Sequence, residues 1–463
     1  MKKDIVVIGS GVGGSACAGT LQKAGFSVSL YEAHPFPGGR CSTFERDGFH
    51  CDFGVHMFSR GNSGPHGQVN RILDGDLKWE AKDPACRVLG AARFDFPLNI
   101  KPFLTRAWLA RKLGLRIKNI YGAYTLFNDL FKGTNFEEND DITLMEYVCR
   151  YTDDNQIHLF MNCLSQLYFA LSSKEASAGE FIWCFSRMFN EASFGYPRGG
   201  SVSIPQSFLE GLSRFGGRTA FNTPIKKIRI ENNRAVGVET ETGFQSADIV
   251  ISNMGLKRTI DLVGKKNFPE PYVTRAGNYR FSNSYITIKY ALDKNIVAYP
   301  VVFHMPNLPA EKAFDYIEKR TVPEDPYIFM PVPSNQDPQL SPNGKQIVIA
   351  GTAAPPSASQ QLCEAILDAV HNRVCELFPG FENAIRWQTR STRSDTTEIT
   401  QHPEGEAIGI GQHSGQTGRF RPSLKTPIEG LWLVGADAGS RGIGTEMAAG
   451  SALNLFQMIN DTY

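Results

Sequence analysis

The chain has 463 residues, with 48 lysines and arginines against 47 aspartates and glutamates, a formal net charge of +1. This balance argues against a nucleic-acid partner, because proteins that bind nucleic acid usually have strongly basic surfaces. The length suffices for two domains with large cores. No stretch of about eighteen uncharged apolar residues occurs, so no membrane-spanning helix is predicted. The first apolar run follows directly after Met1-Lys2-Lys3, which leaves no space for a signal peptide and makes the cytoplasm the expected location.

The nine cysteines are odd in number, scattered along the chain, and include no Cys-x-x-Cys pair. Disulfide frameworks and zinc sites use paired or regularly spaced cysteines. We therefore expect reduced thiols, and the sequence predicts no metal site.

The N-terminal stretch combines a strand, a glycine loop, a helix and an acidic residue. The apolar run Ile5–Ile8 predicts a buried parallel strand, and glycines follow it at the spacing of a dinucleotide-binding loop. Gly9 permits a tight turn, Gly11 lets the backbone approach a pyrophosphate, and Gly14 lets the helix pack on the strand. The helix start offers free N–H groups and a positive dipole end to phosphates. A second strand leads to Glu32, which would accept hydrogen bonds from a ribose.

A second glycine loop, Pro37-Gly38-Gly39-Arg40, follows Glu32, and the turns Asp47-Gly48-Phe49 and Asp52-Phe53-Gly54 come next. This series resembles the phytoene desaturase and amine oxidase superfamily of FAD proteins. The resemblance implies that the double glycine passes close to the pyrophosphate and ribityl chain of FAD. It also implies that Arg40 offsets phosphate charge, with a surface arginine as the alternative interpretation.

The middle of the chain resembles the same superfamily. It combines a predicted helix over 205–215, a strand over 223–228 and a hairpin turn at Asn232-Asn233. In the family, the backbone at the positions of Pro224 and Ile225 meets the adenine. We therefore expect this segment to close one end of the cofactor site.

The C-terminal part resembles the carotenoid desaturase branch of the superfamily. It carries the run Pro427–Asp437, the glycine loop Gly442-Ile443-Gly444 and a predicted helix over 445–459. The resemblance implies that Gly435 and Asp437 meet the ribityl–pyrophosphate region. It also implies that the helix start faces the pyrimidine edge of the flavin, where its dipole stabilises negative charge on the reduced ring.

The resemblance implies an α/β fold, in which a Rossmann-like FAD-binding domain of the glutathione reductase type, built on a parallel sheet, carries an inserted α+β substrate domain. No cysteine follows Cys375, whereas the resemblance implies that a thioether link to the flavin would need a cysteine in the C-terminal motif. We therefore expect non-covalent FAD. The predicted ranges are 1–75, 195–265 and 390–463 for the FAD-binding domain, and 76–194 and 266–389 for the substrate domain. The residues expected to contact FAD are Gly9, Gly11, Val12, Gly13, Gly14, Glu32, Ala33, Gly38, Gly39, Arg40, Gly54, Val55, His56, Pro224, Ile225, Gly435, Asp437, Gly442, Ile443, Gly444 and Met447.

Two departures from the family's pattern mark where the chemistry could differ. Where carotenoid desaturases usually continue Gly-Pro, this chain has Gly54-Val55-His56-Met57, and it has Ser440-Arg441-Gly442-Ile443-Gly444 where they show glycine-rich sequence. Hydride transfer to a flavin needs no obvious acid–base pair, because the cofactor performs the difficult step. Polar residues near these loops are candidates for proton transfer, and a structural role is the alternative for each. The candidates are His56, His413, Glu446 and Arg441.

Residues 96–128 contain no acidic side chain. Within 101–121, basic residues alternate with an apolar stripe at helical spacing. This pattern predicts a basic amphipathic helix and favours peripheral contact with an anionic membrane. A solvated face over a core stripe, or a docking site for an anionic substrate group, are the alternatives. The stripe is Leu109, Leu113, Ile117 and Ile120, and the basic residues are Lys101, Arg106, Arg111, Lys112, Arg116 and Lys118.

Residues 141–194 are predicted to be helical and rich in aromatic side chains, which form a core and line an apolar substrate cavity. The resemblance then implies an FAD-dependent oxidoreductase that adds or removes hydrogen across a C–C bond of a largely apolar, isoprenoid or polyene-like substrate. The alternatives are an amine-oxidase-type enzyme, a non-redox flavin-dependent isomerase and a non-catalytic lipid-binding flavoprotein. Substrate identity, direction, electron acceptor and oligomeric state stay open at this point.

Overall fold

The computed structural model describes residues 3–98, 108, 111–114, 119–191, 193–402 and 404–463. Its strands in chain order are β1 (Asp4–Ile8), β2 (Ser27–Tyr31), β3 (Thr43–Arg46), β4 (Phe49–Asp52), β5 (Trp79–Glu80), β6 (Cys86–Gly90), β7 (Phe94–Phe96), β8 (Tyr196–Pro197), β9 (Arg218–Ala220), β10 (Lys227–Glu231), β11 (Arg234–Thr240), β12 (Gly243–Ser246), β13 (Ile249–Ser252), β14 (Ser284–Leu292), β15 (Val301–Met305), β16 (Ile328–Pro331), β17 (Gln346–Ala354), β18 (Ile385–Ser391) and β19 (Leu431–Leu433). Its α-helices are α1 (Val12–Lys23), α2 (Pro65–Ile72), α3 (Ile120–Lys132), α4 (Leu144–Cys149), α5 (Asn155–Phe169), α6 (Ala178–Asn190), α7 (Ser203–Arg214), α8 (Leu256–Val263), α9 (Glu270–Asn278), α10 (Asp315–Lys319), α11 (Pro333–Gln336), α12 (Gln360–Leu377), α13 (Arg393–Thr400) and α14 (Gly444–Thr462).

A parallel five-stranded sheet, in the order β19-β13-β1-β2-β9, carries the N-terminal glycine motif. The predicted strand Ile5–Ile8 is confirmed as the central β1, and its apolar side chains are all buried, as suits a parallel strand covered on both faces. Helix α1 packs against β2, α7 and α14, because its glycines and alanines allow close approach. The predicted Rossmann-like architecture is confirmed.

A seven-stranded mixed sheet has the order β18-β14-β17-β16-β15-β6-β7. β14 and β17 pair antiparallel along their whole length, whereas β6 joins β15 in parallel. This sheet shares one core with α3, α5 and α6, and the parallel sheet has a separate core. Phe268, Ala276 and Tyr279 belong to the core of the parallel sheet, so α9 stays with that sheet although it follows the predicted boundary at 265. The division into two domains stays a prediction.

The predicted helical region over 141–194 forms α4, α5 and α6. Side chains cap each of these helices. Thr143 and Glu146 form a reciprocal capping box on α4, Asp154 accepts two N–H groups of α5, and Ser177 caps α6. The prediction of a helical, aromatic-rich core is confirmed.

The strand predicted over 223–228 begins later than expected, as β10. Pro224 has no N–H group for a strand ladder, and the N–H of Thr223 donates to the carbonyl of Glu32 at 2.8 Å. The segment therefore lies against the loop after β2. The predicted turn at Asn232-Asn233 is confirmed, since both residues have positive φ, 49° and 60°, as a two-residue type I′ hairpin requires.

None of the helices within the described ranges is long and apolar enough to cross a membrane. Most of the predicted basic helix over 101–121 lies outside the described residues. Two members of its apolar stripe are described: Leu113 is buried, and Ile120 is 44 % exposed at the start of α3. The amphipathic pattern stays a prediction.

A buried ion network joins the loop before α14 to the helical region. Arg441 contacts the two carboxylate oxygens of Asp140 at 2.8 and 2.6 Å and one oxygen of Glu180 at 3.0 Å. The other Glu180 oxygen accepts the backbone N–H of Gly442 at 2.8 Å. Burial raises the pKa of Glu180, and Arg441 partly offsets that shift. The network ties two parts of the chain that are far apart in sequence.

Removing Arg441 is expected to destabilise the fold strongly. Arg441→Met leaves two buried carboxylates without their counter-ion, which costs about 3–5 kcal/mol of unfolding free energy. The control is Arg198→Met, which removes an arginine that pairs with Glu80 at the surface, where ion pairs contribute little. Urea unfolding of both variants measures the difference. An Arg441→Met protein as stable as the parent would contradict the structural role.

The first glycine loop leaves no room for a side chain. A Cβ at Gly14 would lie 2.0 Å from the carbonyl oxygen of Gly9, so Gly14→Ala is expected to lower the free energy of unfolding by about 2–3 kcal/mol. Gly277→Ala in α9 is the matched control, because a Cβ there meets nothing within 4 Å and alanine favours helix. Thermal unfolding compares the two variants. Equal melting temperatures would show that the loop can relax.

Candidate functional site

A cleft of about 2030 Å³, counting its opening, lies at the carboxyl edge of the parallel sheet. Ligands of open α/β sheets bind at this edge. Of the twenty-one residues predicted to contact the cofactor, seventeen line the cleft. These are Gly9, Gly11, Val12, Gly13, Glu32, Ala33, Gly38, Gly39, Arg40, Gly54, Val55, His56, Pro224, Ile225, Asp437, Ile443 and Gly444.

The two glycine loops lie side by side in this cleft. Gly38 forms a short parallel bridge with Gly11, and the N–H of Gly38 donates to the carbonyl of Ser10 at 3.2 Å. Helix α1 begins at Val12 after the N-cap residue Gly11, and no side chain of the described residues caps it, so none of them competes for the N–H groups of its first turn. Since a helix N-terminus attracts anions, the paired loops suit a pyrophosphate.

The side chain of Asn253 fills the space that several glycines leave open. A Cβ at Gly11 would lie 2.9 Å from its amide nitrogen, and Cβ atoms at Gly13 and Gly435 would lie 2.8 and 2.5 Å from its amide oxygen. The N-terminal loop, the end of β13 and the C-terminal loop can therefore approach one another only without side chains at these glycines.

Glu32 lies at the end of β2, in the wall of the cleft, and is 8 % exposed. One carboxylate oxygen accepts the N–H of Ser10 at 2.8 Å and its hydroxyl at 2.7 Å, and the other accepts the N–H of His34 at 2.9 Å. These three bonds fix the orientation of the carboxylate. Each oxygen can accept more than one bond, so the group can also receive the hydroxyls of a ribose, as predicted.

Arg40 belongs to a buried charge cluster on the cleft wall. His402 is hydrogen-bonded to Glu406, and the Arg40 guanidinium lies 3.8 Å from the same carboxylate oxygen. Burial alone would raise the pKa of Glu406, but His402 and Arg40 lower it by more. The net effect is a pKa below the ordinary value. The Nε of Arg40 is buried and has no hydrogen-bond partner among the described residues. This N–H group suits a phosphate oxygen.

Four residues predicted to contact the cofactor are not among the residues that line the cleft. Gly14 packs on the backbone of the first turn, and the N–H of Gly435 donates to a serine hydroxyl of α14 at 3.1 Å. Gly442 and Met447 both contact the amide of Gln412. These residues pack against the loops, α1 and α14, and so hold the lining residues in place rather than lining the cleft themselves. The four are Gly14, Gly435, Gly442 and Met447.

His56 lines both the cleft and a second cavity. Its Nε2 lies 3.0 Å from the carbonyl oxygen of Arg40. A carbonyl only accepts, so Nε2 carries the proton and Nδ1 is the acceptor. Burial lowers the pKa of His56, which keeps the imidazole neutral at pH 7. Its ring stacks on Phe58 with centroids 5.6 Å apart, which fixes its orientation.

The second cavity, about 1780 Å³ with its opening, is almost entirely apolar. Side chains of α3, α5, α6 and the seven-stranded sheet line it. The predicted apolar cavity is present, and several aromatic residues of the 141–194 region contribute to it. Those residues are Phe160, Tyr168, Phe185 and Phe189. Four of the described residues line both cavities, namely His56, Met57, Leu167 and Tyr168.

The other three candidates for proton transfer line neither cavity. Arg441 is held in the ion network described above. Glu446 accepts the N–H of Arg60 at 2.9 Å, and burial raises its pKa. His413 contacts Gln416 at 3.1 Å, and burial lowers its pKa to about 3. Each has protein partners that account for its burial, so the structure favours the alternative, structural interpretation.

Several residues of the cleft wall could not be found from the sequence. Gln166 and Tyr168 come from α5, Arg258 comes from α8, and His402 follows α13. None of them belongs to a glycine motif, and only the folded chain brings these helices to the cleft.

Comparisons with known proteins agree with this geometry. The sequence model of the family described as flavin containing amine oxidoreductase matches residues 12–454. The zeta-carotene-forming phytoene desaturase of Myxococcus xanthus is 26 % identical over an alignment of 472 positions, gaps included, that covers 93 % of this chain and 89 % of the desaturase. The all-trans-retinol 13,14-reductase of Danio rerio is 24 % identical over an alignment of 515 positions, gaps included, that covers 94 % of this chain and 82 % of the reductase.

Solved structures share the fold. An oxidoreductase from Methanosarcina mazei superposes with a TM-score of 0.78 at 22 % identity, covering 98 % of this chain and 100 % of that one. Putrescine oxidase bound to putrescine superposes with a TM-score of 0.70 at 14 % identity, covering 100 % of this chain and 99 % of that one. Because the family match spans nearly the whole sequence, the chain belongs to the flavin containing amine oxidoreductase family and is an FAD-dependent oxidoreductase.

Proposed function

We propose that the enzyme transfers hydrogen between FAD and a C–C bond of an apolar, polyene-like substrate. The observation that carries this proposal is the meeting of a polar dinucleotide cleft with an apolar, aromatic cavity at His56, Met57, Leu167 and Tyr168. An apolar cavity favours a hydrocarbon substrate through the hydrophobic effect. The relatives named above form zeta-carotene or reduce all-trans-retinol, which also supports a polyene.

FAD would lie along the cleft in the order that the motifs suggest. Glu32 would receive the adenosine ribose, and Pro224 and Ile225 would close the adenine end. The paired loops at Gly11 and Gly38 would hold the pyrophosphate. The isoalloxazine would then lie at the His56 end, where the two cavities meet. We propose non-covalent binding, because the Cys41 thiol in the cleft wall is buried, which raises its pKa and keeps it unreactive.

When bound, FAD supplies a hydride acceptor or donor, which is the demanding part of the reaction. The chain contributes orientation and exclusion of water, because the cavity walls are apolar and aromatic. The Nε2–H group of His56 donates to the carbonyl of Arg40, which leaves Nδ1 as the acceptor of a neutral ring that lines both cavities. Nδ1 can accept or return the proton that accompanies hydride transfer. We therefore retain His56 as the candidate for proton transfer.

Anaerobic mixing with three substrate classes tests the proposal. Partly saturated polyenes are expected to bleach the visible absorbance of oxidised flavin, or polyenes to restore it in enzyme reduced beforehand, under single-turnover conditions, and amines to do neither. Bleaching by amines alone would replace the proposal with an amine-oxidase-type function. No spectral change with any class in either redox state, with FAD fully bound, would favour a non-catalytic flavoprotein or a non-redox isomerase. Thioesters form the third class, the saturated acyl form offered to oxidised flavin and the enoyl form to reduced flavin, and they separate general C–C redox chemistry from a polyene requirement.

Ala123→Trp provides the matched variant for this experiment. Ala123 is buried in α3 and lines the apolar cavity but not the cleft. An indole there would occupy substrate space, so the rate of the spectral change with polyenes or their partly saturated forms should fall at least tenfold while FAD content stays stoichiometric. The FAD content of the purified variant is measured first, because overpacking can disturb a core. An unchanged rate in a fully loaded variant would contradict the assignment of this cavity to the substrate.

We also propose that the mouth of the apolar cavity docks on an anionic membrane, from which such substrates would enter. Ile120 and Tyr124 line the cavity and yet are 44 % and 52 % exposed, and Tyr121 beside them is 80 % exposed. Arg111 and Lys112 are exposed close by in sequence. Apolar side chains beside basic residues suit an anionic bilayer surface.

Vesicle sedimentation tests the membrane proposal. Arg111→Glu/Lys112→Glu is expected to weaken binding to phosphatidylglycerol vesicles at least tenfold, because each basic residue near the surface contributes about 1 kcal/mol. The matched control is Lys265→Glu/Lys266→Glu, a pair of exposed lysines beyond α8. Equal binding by both double variants would remove residues 111–124 as the docking surface.

A further inference from the structure

Gln166 is a buried amide with nothing in the described part of the chain to bond to. It lies in α5, its exposed fraction is 0 %, and both the nitrogen and the oxygen of its amide are without a hydrogen-bond partner among the described residues. It also lines the cofactor cleft. A buried amide without partners costs on the order of 1–3 kcal/mol per unsatisfied group. Such a side chain in a cleft wall points to a ligand that supplies both a donor and an acceptor.

Asn162, one turn earlier in the same helix, shows the ordinary arrangement. Its amide oxygen accepts the N–H of Ser173 at 2.9 Å, and its amide nitrogen donates to the carbonyl of Ala310 at 3.5 Å. Both amides are buried in one helix, yet only Asn162 is satisfied by protein. Burial in α5 alone therefore does not explain the unpaired amide of Gln166.

The position of Gln166 selects the kind of ligand. Its neighbours Leu167 and Tyr168 line both cavities, whereas Gln166 lines the cleft alone. A hydrocarbon substrate has no polar atoms to offer it. The pyrimidine edge of an isoalloxazine carries carbonyl acceptors next to an N–H donor, the pattern that a carboxamide matches with one acceptor and two donors.

We propose that Gln166 is a cofactor-binding residue whose carboxamide pairs with the hydrogen-bonding edge of the isoalloxazine and fixes the ring at the junction of the two cavities. This inference rests on the proposed placement of FAD. It does not depend on the identity of the substrate. Helix α5 would then both bind the cofactor through Gln166 and line the two cavities through Leu167 and Tyr168.

The variant Gln166→Leu tests whether the side chain contributes to binding of the flavin part of FAD or of its ADP part. The full-length protein is freed of FAD, and binding of FAD and of ADP is measured by titration. Loss of the paired hydrogen bonds should weaken FAD binding about tenfold or more, while ADP, which lacks the flavin, should bind as to the parent. Removing an unpaired buried amide should also raise the melting temperature of the FAD-free protein by about 2 °C.

Asn162→Leu is the matched control, and it should show the opposite pattern. It removes an amide that is bonded to protein, so the melting temperature of the FAD-free variant should fall while FAD affinity stays at the parental value. If Gln166→Leu bound FAD as tightly as the parent, or if it lowered the melting temperature as Asn162→Leu does, the proposal would be overturned. Neither measurement uses a substrate, so a failure here is distinct from a failure of the polyene proposal.

Discussion

Close approach of backbone around the Asn253 side chain governs the architecture of this enzyme. Cβ atoms at Gly11, Gly13 or Gly435 would each collide with its amide. Three segments that are distant in sequence meet at this point: the loop before α1, the end of β13 and the loop after β19. A binding site for a pyrophosphate at the carboxyl edge of the sheet depends on that approach, because only bare backbone can come close to the phosphates.

The cleft and the cavity differ in chemistry, and the enzyme's function depends on where they join. The cleft offers to a charged cofactor Glu32, an N–H of Arg40 and the N–H groups at the start of α1, and in the described part of the chain neither of the latter two has a side-chain partner. The cavity offers phenylalanine and tyrosine side chains to an apolar molecule. His56 and the Gln166–Tyr168 turn stand between them. A flavin placed there would meet polar partners along its edge and an apolar substrate at its face.

Local motifs could be predicted from the sequence because their physical signal lies in adjacent residues. The Ile5–Ile8 strand, the glycines that follow it and the Asn232-Asn233 turn depend on side chains a few positions apart, and each has its predicted conformation. The spacing of a dinucleotide-binding motif extended this to Glu32, and the resemblance to a family extended it to the loop at Gly38; both line the cleft. The late start of β10 shows the limit, since contacts of Thr223 with a distant loop decide it.

The parts that could not be predicted depend on contacts between distant residues. The charge at Arg441 suggested a group near the flavin, but two buried carboxylates contributed by other elements hold it. His413 and Glu446 likewise have protein partners that no local pattern indicates. Gln166 carries no motif at all, and its significance lies in an amide that finds no hydrogen-bond partner among the residues that the structure describes. Sequence patterns therefore predicted the glycine loops that line the cleft better than the side chains that distant helices bring to it.

The proposed function requires the isoalloxazine to lie where the two cavities meet. A crystal structure of the enzyme with bound FAD would show its position. We expect the ring beside His56, with its polar edge on Gln166 and one face open to the aromatic cavity. An isoalloxazine elsewhere in the cleft, or one that protein separates from the aromatic cavity, would rule out the proposed function.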